Sequence, residues 1–322
     1  MRIAVYGTGS VGGYFGSRLA QAGENVVFIA RGEHLKAIQN DGLHIESIKG
    51  NFCISPAQAT DDPKSVGKVD VVLLGVKAWQ IPEAAQAILP MMKASTIVIP
   101  LQNGVEAPEQ LMMVLGEDNV LGGLCQISAY IAAPGLIRHV GVEPHIAFAR
   151  LDGKPNPVAE QLLQAFLKGG VEAEISTDIQ AAMWEKFVFI VSMSGVGAIT
   201  RQPIGIIRRI PETRLLLEKV MLEIVALATA KGIRLSQDIV SVKMAFIDHM
   251  PAESTASMQR DIMAGLPSEL DAQNGAVVRM GHQEGVSVPV NEFIYDCLLP
   301  QEMAARNLRK EQVADKNPHP NQ

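Results

Sequence analysis

The chain has 322 residues, more than one hydrophobic core usually supports, so two domains are expected. With 48% hydrophobic and 19% charged residues it reads as globular and soluble. A net charge of −6 without a long basic run argues against nucleic acid as a partner.

The chain opens with Arg2 and an apolar run. Gly7, Gly9, Gly12 and Gly13 interrupt that run, and no small-residue cleavage pattern follows, so no secretory signal is expected. Residues 3–6 read as a strand, 11–22 as a helix and 25–30 as a second strand. Residues 69–76 and 96–101 are near-continuous apolar runs, as parallel strands buried on both faces should be. A helix is predicted between them over 82–92. This βαβαβ rhythm predicts a doubly wound, mostly parallel sheet.

From residue 122 to 149 the pattern shifts to short β-type runs, at 126–131, 136–140 and 145–149, with a turn at Pro134-Gly135. Residues 157–168 read as a helix and 171–175 as extended. Beyond that the character is helical almost to the end. Asp178 is placed to cap a helix reaching about residue 196, and 215–231 is a long amphipathic segment stopped by Gly232. The expected organisation is an α/β domain over 1–177, an all-α domain over 178–308 and a mobile polar tail over 309–322. No stretch reaches about 18 uninterrupted apolar residues, so no membrane span is expected.

The motif Gly7-Thr8-Gly9-Ser10-Val11-Gly12 fits G-x-G-x-x-G, follows a predicted strand and opens a predicted helix. That context makes it a dinucleotide fingerprint of the Rossmann type. The first glycine permits a tight turn, the second lets the pyrophosphate approach the backbone, and the third lets the helix pack closely. The helix N-terminus offers unpaired N–H groups and a positive dipole end to phosphate. After the second strand an acidic residue would hold the ribose 2′-OH of NAD. Arg31 stands there instead, and its planar fork suits the 2′-phosphate of NADP. Glu33 nearby keeps NAD open. Lys77 follows another predicted strand, on the carboxyl edge where such sheets bind ligands. A solvated side chain is the plain alternative for both Arg31 and Lys77.

Several separated motifs then resemble the ketopantoate reductase (2-dehydropantoate 2-reductase) family, in its order and rough spacing. They are Gly7–Gly12, Arg31, Val76-Lys77-Ala78-Trp79-Gln80, Gln102-Asn103-Gly104, Trp184-Glu185-Lys186, Ser257-Met258 with Asp261-Ile262, and Ser268-Glu269-Leu270-Asp271 leading to Asn274-Gly275. The resemblance runs from about Met1 to Arg309. It implies an N-terminal Rossmann domain, a helical C-terminal domain, and reduction of a 2-oxo acid to a 2-hydroxy acid by NADP(H), as in pantothenate biosynthesis. Arg31 and Lys77 would then serve the adenosine phosphate side, and Asn103 would sit where nicotinamide meets substrate. Lys186 would be the proton donor and Ser257 a substrate ligand. Glu269 would serve the nicotinamide ribose side near the lysine, and the Ser128 backbone would touch cofactor. Such chemistry needs an ammonium: hydride arriving at a ketone carbon leaves charge on oxygen, which the ammonium stabilises and then protonates.

The pattern also departs from the family. Lys186, Ile190 and Ser194 fall at i, i+4 and i+8, on one helical face. By resemblance, asparagines that bind substrate belong where Ile190 and Ser194 stand, and a third is replaced near Ile204. Ile190 makes an apolar wall, which discriminates weakly among substrates. Two other functions therefore stay open: an NAD-linked D-2-hydroxy acid dehydrogenase for bulky apolar acids, and a non-catalytic NADP-binding sensor. Arg201 reads as a carboxylate clamp or, more simply, as a solvated arginine. His139 and His145 flank the acidic Glu143, but no further ligand of that kind is evident, so no metal is expected. Cys53, Cys125 and Cys297 lie far apart and suit reduced thiols in the cytoplasm. The run 215–224 reads as helix packing or as a homodimer face.

Overall fold

The structure is a computed structural model. It describes the backbone to Lys316 and side chains to Asn307. The remainder of the predicted polar tail lies outside the described residues. The chain divides into two compact units, 1–183 and 184–322.

The first unit begins β1 (Arg2–Tyr6), α1 (Ser10–Gln21), β2 (Asn25–Ile29), α2 (Gly32–Asp41), β3 (Leu43–Ser47), β4 (Phe52–Ile54) and β5 (Gln58–Thr60). It continues through β6 (Val71–Leu74), α3 (Ile81–Ile88), β7 (Ile97–Pro100) and α4 (Ala107–Leu115). Strands β5-β2-β1-β6-β7, in that order, form an all-parallel sheet. Its alternation explains the continuous apolar runs. Ile3, Val5, Val71 and Leu73 enter a core shared with Phe15 and Leu19 of α1, whereas Ala4, Tyr6, Val72 and Leu74 enter a second core with Ile81 and Ile88 of α3. Strands buried on both faces need apolar residues at every position.

The unit ends with β8 (Leu121–Gln126), β9 (Ala129–Ala133), β10 (Leu136–His139), β11 (His145–Arg150), α5 (Pro157–Lys168) and β12 (Glu172–Ile175). These make two further mixed sheets, β4-β3-β10-β9 and β12-β11-β8. The single strand predicted over 126–131 is in fact the end of β8, a break at 127–128 and the start of β9. Two consecutive short strands share an apolar pattern that hides the break. Strands β3 to β5 gave no periodic signal, being three to five residues long and partly polar.

Helix α6 (Ile179–Thr200) contains the division between the units. Asp178 caps it as expected, accepting the Ala181 N–H at 3.0 Å. The helix is long and apolar enough to pass for a membrane span, yet 67% of its most apolar stretch is buried inside the protein. It is a core helix, apolar on all sides. It runs four residues beyond the predicted end, because Gly195 and Gly197 pack against Asn274 and Gln259 instead of breaking the helix.

The second unit continues through α7 (Ile204–Ile207), α8 (Pro211–Ala230), α9 (Ile239–His249), α10 (Ser257–Met263), α11 (Asn274–Glu284) and α12 (Pro289–Lys316). Helices α8, α11 and α12 pack together. In α8, Leu217, Val220, Met221 and Ile224 are buried, while Leu215 and Leu222 face solvent one heptad apart. The Glu223 carboxylate accepts the N–H groups of Val290 and Asn291 at 2.8 and 2.9 Å, which caps α12 from outside.

Candidate active site

Strand order in the parallel sheet reverses at β1, whose neighbours are β2 and β6. The crevice beyond the carboxyl ends of β1 and β6 is therefore a topological switch point. The glycine motif lies there. Gly7 has φ +94°, and a Cβ on it would stand 2.7 Å from Val76 Cγ1 and 2.8 Å from the Gly75 carbonyl carbon. A Cβ on Gly12 would run into the Gly7 carbonyl oxygen, so that glycine lets α1 sit on the turn. Gly9 differs: the nearest atom to its Cβ position among the described residues is Gly75 O at 3.9 Å. Internal packing does not demand glycine at that position, whereas a phosphate lying against the backbone would.

Gly9 is also the N-cap of α1, with no side-chain cap among the described residues and no acidic residue in the first turn. The amides that begin at Ser10 and Val11 thus stand ready for an anion. The turn itself is fixed. The N–H groups of Gly7 and Thr8 donate to Ile29 O at 3.2 and 3.0 Å, and Thr8 Oγ1 donates to the same oxygen at 3.0 Å. Gly75, outside the motif, completes the crevice: a Cβ there would stand 2.7 Å from Gly7 O.

Arg31 follows β2 as the N-cap of α2. Its guanidinium lies against the Tyr6 hydroxyl at the end of β1, where burial pushes the phenol above its usual range and Arg31 acts in the opposite sense. Arg31 is also 3.7 Å from Glu83, with 66% and 69% of the two side chains exposed. A pair so exposed contributes at most about 1 kcal/mol and yields readily to a doubly bonded phosphate. Lys77 follows β6 on the other side of β1, and its Nζ is 5.9 Å from the Trp79 ring centre. Gln102 holds the backbone just before it, donating from Nε2 to Leu74 O at 2.8 Å and Val76 O at 2.9 Å. Asn103, half-buried, comes next after β7. Ser128 lies in the β8–β9 break, and its carbonyl is engaged by the Val140 N–H at 2.8 Å.

In the second unit, Lys186 and Ile190 are half-buried on α6, but Ser194, about 12 Å further along, is 1% exposed. Its Oγ is buried and has no hydrogen-bond partner among the described residues. Ser194 shares the helical face of Lys186, but unlike Lys186 and Ile190 it is buried. Ser257 stands half-exposed in the first turn of α10. Ile204 is 1% exposed, a core residue whose N–H donates to Ser254 O. Arg201, in the left-handed region at φ 56°, lies fifteen residues beyond Lys186, or about 22 Å of helix. One small substrate does not span that distance, so Arg201 does not clamp a carboxylate beside Lys186.

Glu269 is buried just before α11. A neighbouring network positions it. The N–H and Oγ of Ser268 both donate to the Glu302 carboxylate, Oγ at 2.5 Å, and Arg306 Nε donates to Glu302 at 2.6 Å. Elsewhere, the ring nitrogens of His139 bond Ser47 Oγ and Val142 O, and Glu143 pairs with Lys49. These roles are structural.

Known proteins give a consistent picture. The family model "Ketopantoate reductase PanE/ApbA" matches residues 3–153, and its C-terminal counterpart matches residues 178–302. A 2-dehydropantoate 2-reductase of Halobacterium salinarum is 29% identical, with 92% of this chain and 97% of that protein covered. The crystal structure of a PanE/ApbA family ketopantoate reductase from Ralstonia eutropha JMP134 is 31% identical, with a TM-score of 0.87 over 95% of this chain and 100% of that one. A D-mandelate dehydrogenase solved with NADH and anilino(oxo)acetate shares the fold, at 23% identity and a TM-score of 0.87 over 95% and 99% of the two chains.

Proposed function

Because the chain belongs to the ketopantoate reductase PanE/ApbA family, we propose that it reduces a 2-oxo acid with NADPH, and that the acid is 2-dehydropantoate (ketopantoate). As a member of that family, the chain is a pyridine-nucleotide-dependent oxidoreductase acting at a CH–OH carbon. The observation that carries the cofactor reading is Arg31, exposed at the carboxyl edge of β2 where an acidic residue would favour NAD. Lys77 faces the same edge from the other side of β1.

Dihydronicotinamide, when bound, supplies a hydride to the C2 carbon of the acid. The chain's own residues do the rest. The amides at the start of α1 hold the pyrophosphate, Arg31 and Lys77 hold the adenosine phosphate, Asn103 sits where nicotinamide meets substrate, and the Ser128 backbone touches the cofactor. Charge develops on the C2 oxygen as the hydride arrives. The Lys186 ammonium stabilises that charge, gives its proton to form the hydroxyl, and regains a proton from solvent. Ser257 hydrogen-bonds the substrate, and Glu269 serves the ribose side.

Ile190 favours a second reading. Its half-buried side chain offers no hydrogen bond to the terminal hydroxyl of ketopantoate, so a less polar 2-oxo acid fits the same wall. A screen of NADPH oxidation with ketopantoate beside branched and aromatic 2-oxo acids separates the readings. Highest kcat/KM with ketopantoate supports the first, and highest with an apolar acid supports the second. Oxidation with none of them contradicts both and favours a non-catalytic sensor.

A further inference from the structure

Two acidic residues lie near Arg31, and the fold gives them different partners. Glu33, in the first turn of α2, pairs with Lys36 on the same helix at 2.8 Å. The carboxylate that meets Arg31 comes from another element. It belongs to Glu83, in the first turn of α3, whose Oε1 is 3.7 Å from the Arg31 guanidinium.

Packing explains why residues so far apart in sequence meet. Tyr6 of β1, Ile29 of β2 and Ile81 of α3 enter one core. Arg31 stands two positions after Ile29, and Glu83 stands two positions after Ile81. Strand β1 lies between β2, which leads to Arg31, and β6, which leads to α3. The ion pair therefore bridges the two sides of the switch point, on the carboxyl edge where the adenosine phosphate is proposed to bind.

A ribose 2′-phosphate needs the guanidinium that Glu83 shares. It also brings about two negative charges to a place beside a carboxylate. A ribose 2′-hydroxyl brings no charge and leaves the pair in place. We infer that Glu83 is a specificity-determining residue for the cofactor: its carboxylate competes with the 2′-phosphate for Arg31, and so limits the preference for NADPH over NADH. This rests on the proposed role of Arg31 toward the 2′-phosphate. Both side chains are largely exposed, so the competition is modest and is screened by salt.

The test titrates NADPH and NADH into the full-length wild type, Glu83→Gln, Arg31→Ala and the double variant, at low and at high salt. Glu83→Gln keeps the shape of the side chain and removes its charge. At low salt its NADPH Kd is expected to fall about two- to fivefold, the range of an exposed ion pair, and the ratio of NADH Kd to NADPH Kd should rise by the same factor. In about 1 M salt, where charges are screened beyond about 3 Å, most of that gain should vanish. In the Arg31→Ala background the Gln substitution should bring no gain, because no guanidinium is left to compete for. An NADPH Kd that Glu83→Gln leaves unchanged or raises at low salt overturns the inference. So does an equal shift for both nucleotides, which marks a merely structural residue, or a gain that persists without Arg31. A loss of NADH affinity alone overturns it too, since Glu83 would then be an acceptor for the 2′-hydroxyl. An Arg31→Ala variant that weakens NADPH and NADH alike removes the Arg31 reading and this inference with it. A selective loss of NADPH in Arg31→Ala, with Glu83→Gln indifferent, removes the inference alone.

Discussion

The two units build their candidate residues in different ways. In the first, the site is mostly backbone: a turn held by Gly7, a helix start left uncapped at Gly9, and a close approach at Gly12 and Gly75. In the second it is side chains on helices, with Lys186 on α6, Ser257 at the start of α10, and Glu269 before α11. At Gly7, Gly12 and Gly75 the backbone site tolerates almost no substitution, because φ or steric clearance leaves only glycine. A side-chain site keeps its reactive group while the surrounding wall changes. Ile190 shows such a change, and it is why the cofactor is easier to read than the substrate.

The comparison breaks first at Lys186. Lys186→Ala is expected to lower kcat by about 10²- to 10⁴-fold, the usual worth of a positioned proton donor, with NADPH affinity nearly unchanged. Single-turnover kinetics and a cofactor titration check both halves. Unchanged turnover would place the proton donor elsewhere.

Glu302 tests how far the second unit depends on a buried network. Glu302→Ala removes the acceptor of the Ser268 N–H and Oγ and of Arg306 Nε. It should cost about 3 kcal/mol in chemical denaturation, the low end for a broken buried pair, because Arg306 is partly exposed. Glu302→Gln should lose less. A loss within about 0.5 kcal/mol would mean that the network does not hold Glu269 in place.

Ile190→Asn sharpens the substrate question. If the apolar wall sets preference, the variant should gain about tenfold in kcat/KM for ketopantoate relative to an unbranched apolar 2-oxo acid, the worth of one substrate hydrogen bond. An unchanged ratio would show that position 190 does not read the substrate.

The smallest expected effect is on pH. Partial burial of His34 on α2 holds its folded-state pKa below the unfolded value of about 6.5, so the unfolded chain binds the extra proton first as pH falls. The stability that His34 contributes is present in full above about pH 6.5 and declines as pH falls through the folded pKa. Denaturation of wild type and His34→Asn should therefore show a stability difference that narrows on acidification. A difference that widens would mean the ring is charged in the folded state.

What the sequence revealed follows the same division. The glycine turn, Arg31 and the parallel strands were legible because each leaves a local signature, and the alternation of Ile3–Tyr6 between two cores accounts for the apolar runs. Gly75 was not, since it lies outside the motif and meets Gly7 only through the fold. His34 and Glu302 were not, because the first is fixed by Gly135, 101 positions on, and the second by Ser268, 34 positions back. The burial of Ser194 was not legible for a further reason. Periodicity tells which residues share a helix face, but not how deep that face runs, and α6 is apolar all round.

In the proposed function, Arg31 gives this family member its preference for NADPH. The most direct measurement is the ratio of kcat/KM for NADPH over NADH, in wild type and in Arg31→Ala, with the 2-oxo acid that the screen selects. Wild type should favour NADPH by at least about tenfold, and Arg31→Ala should lose most of that ratio while its NADH value changes little. Equal losses for both nucleotides, or a wild type that favours NADH, would contradict the account.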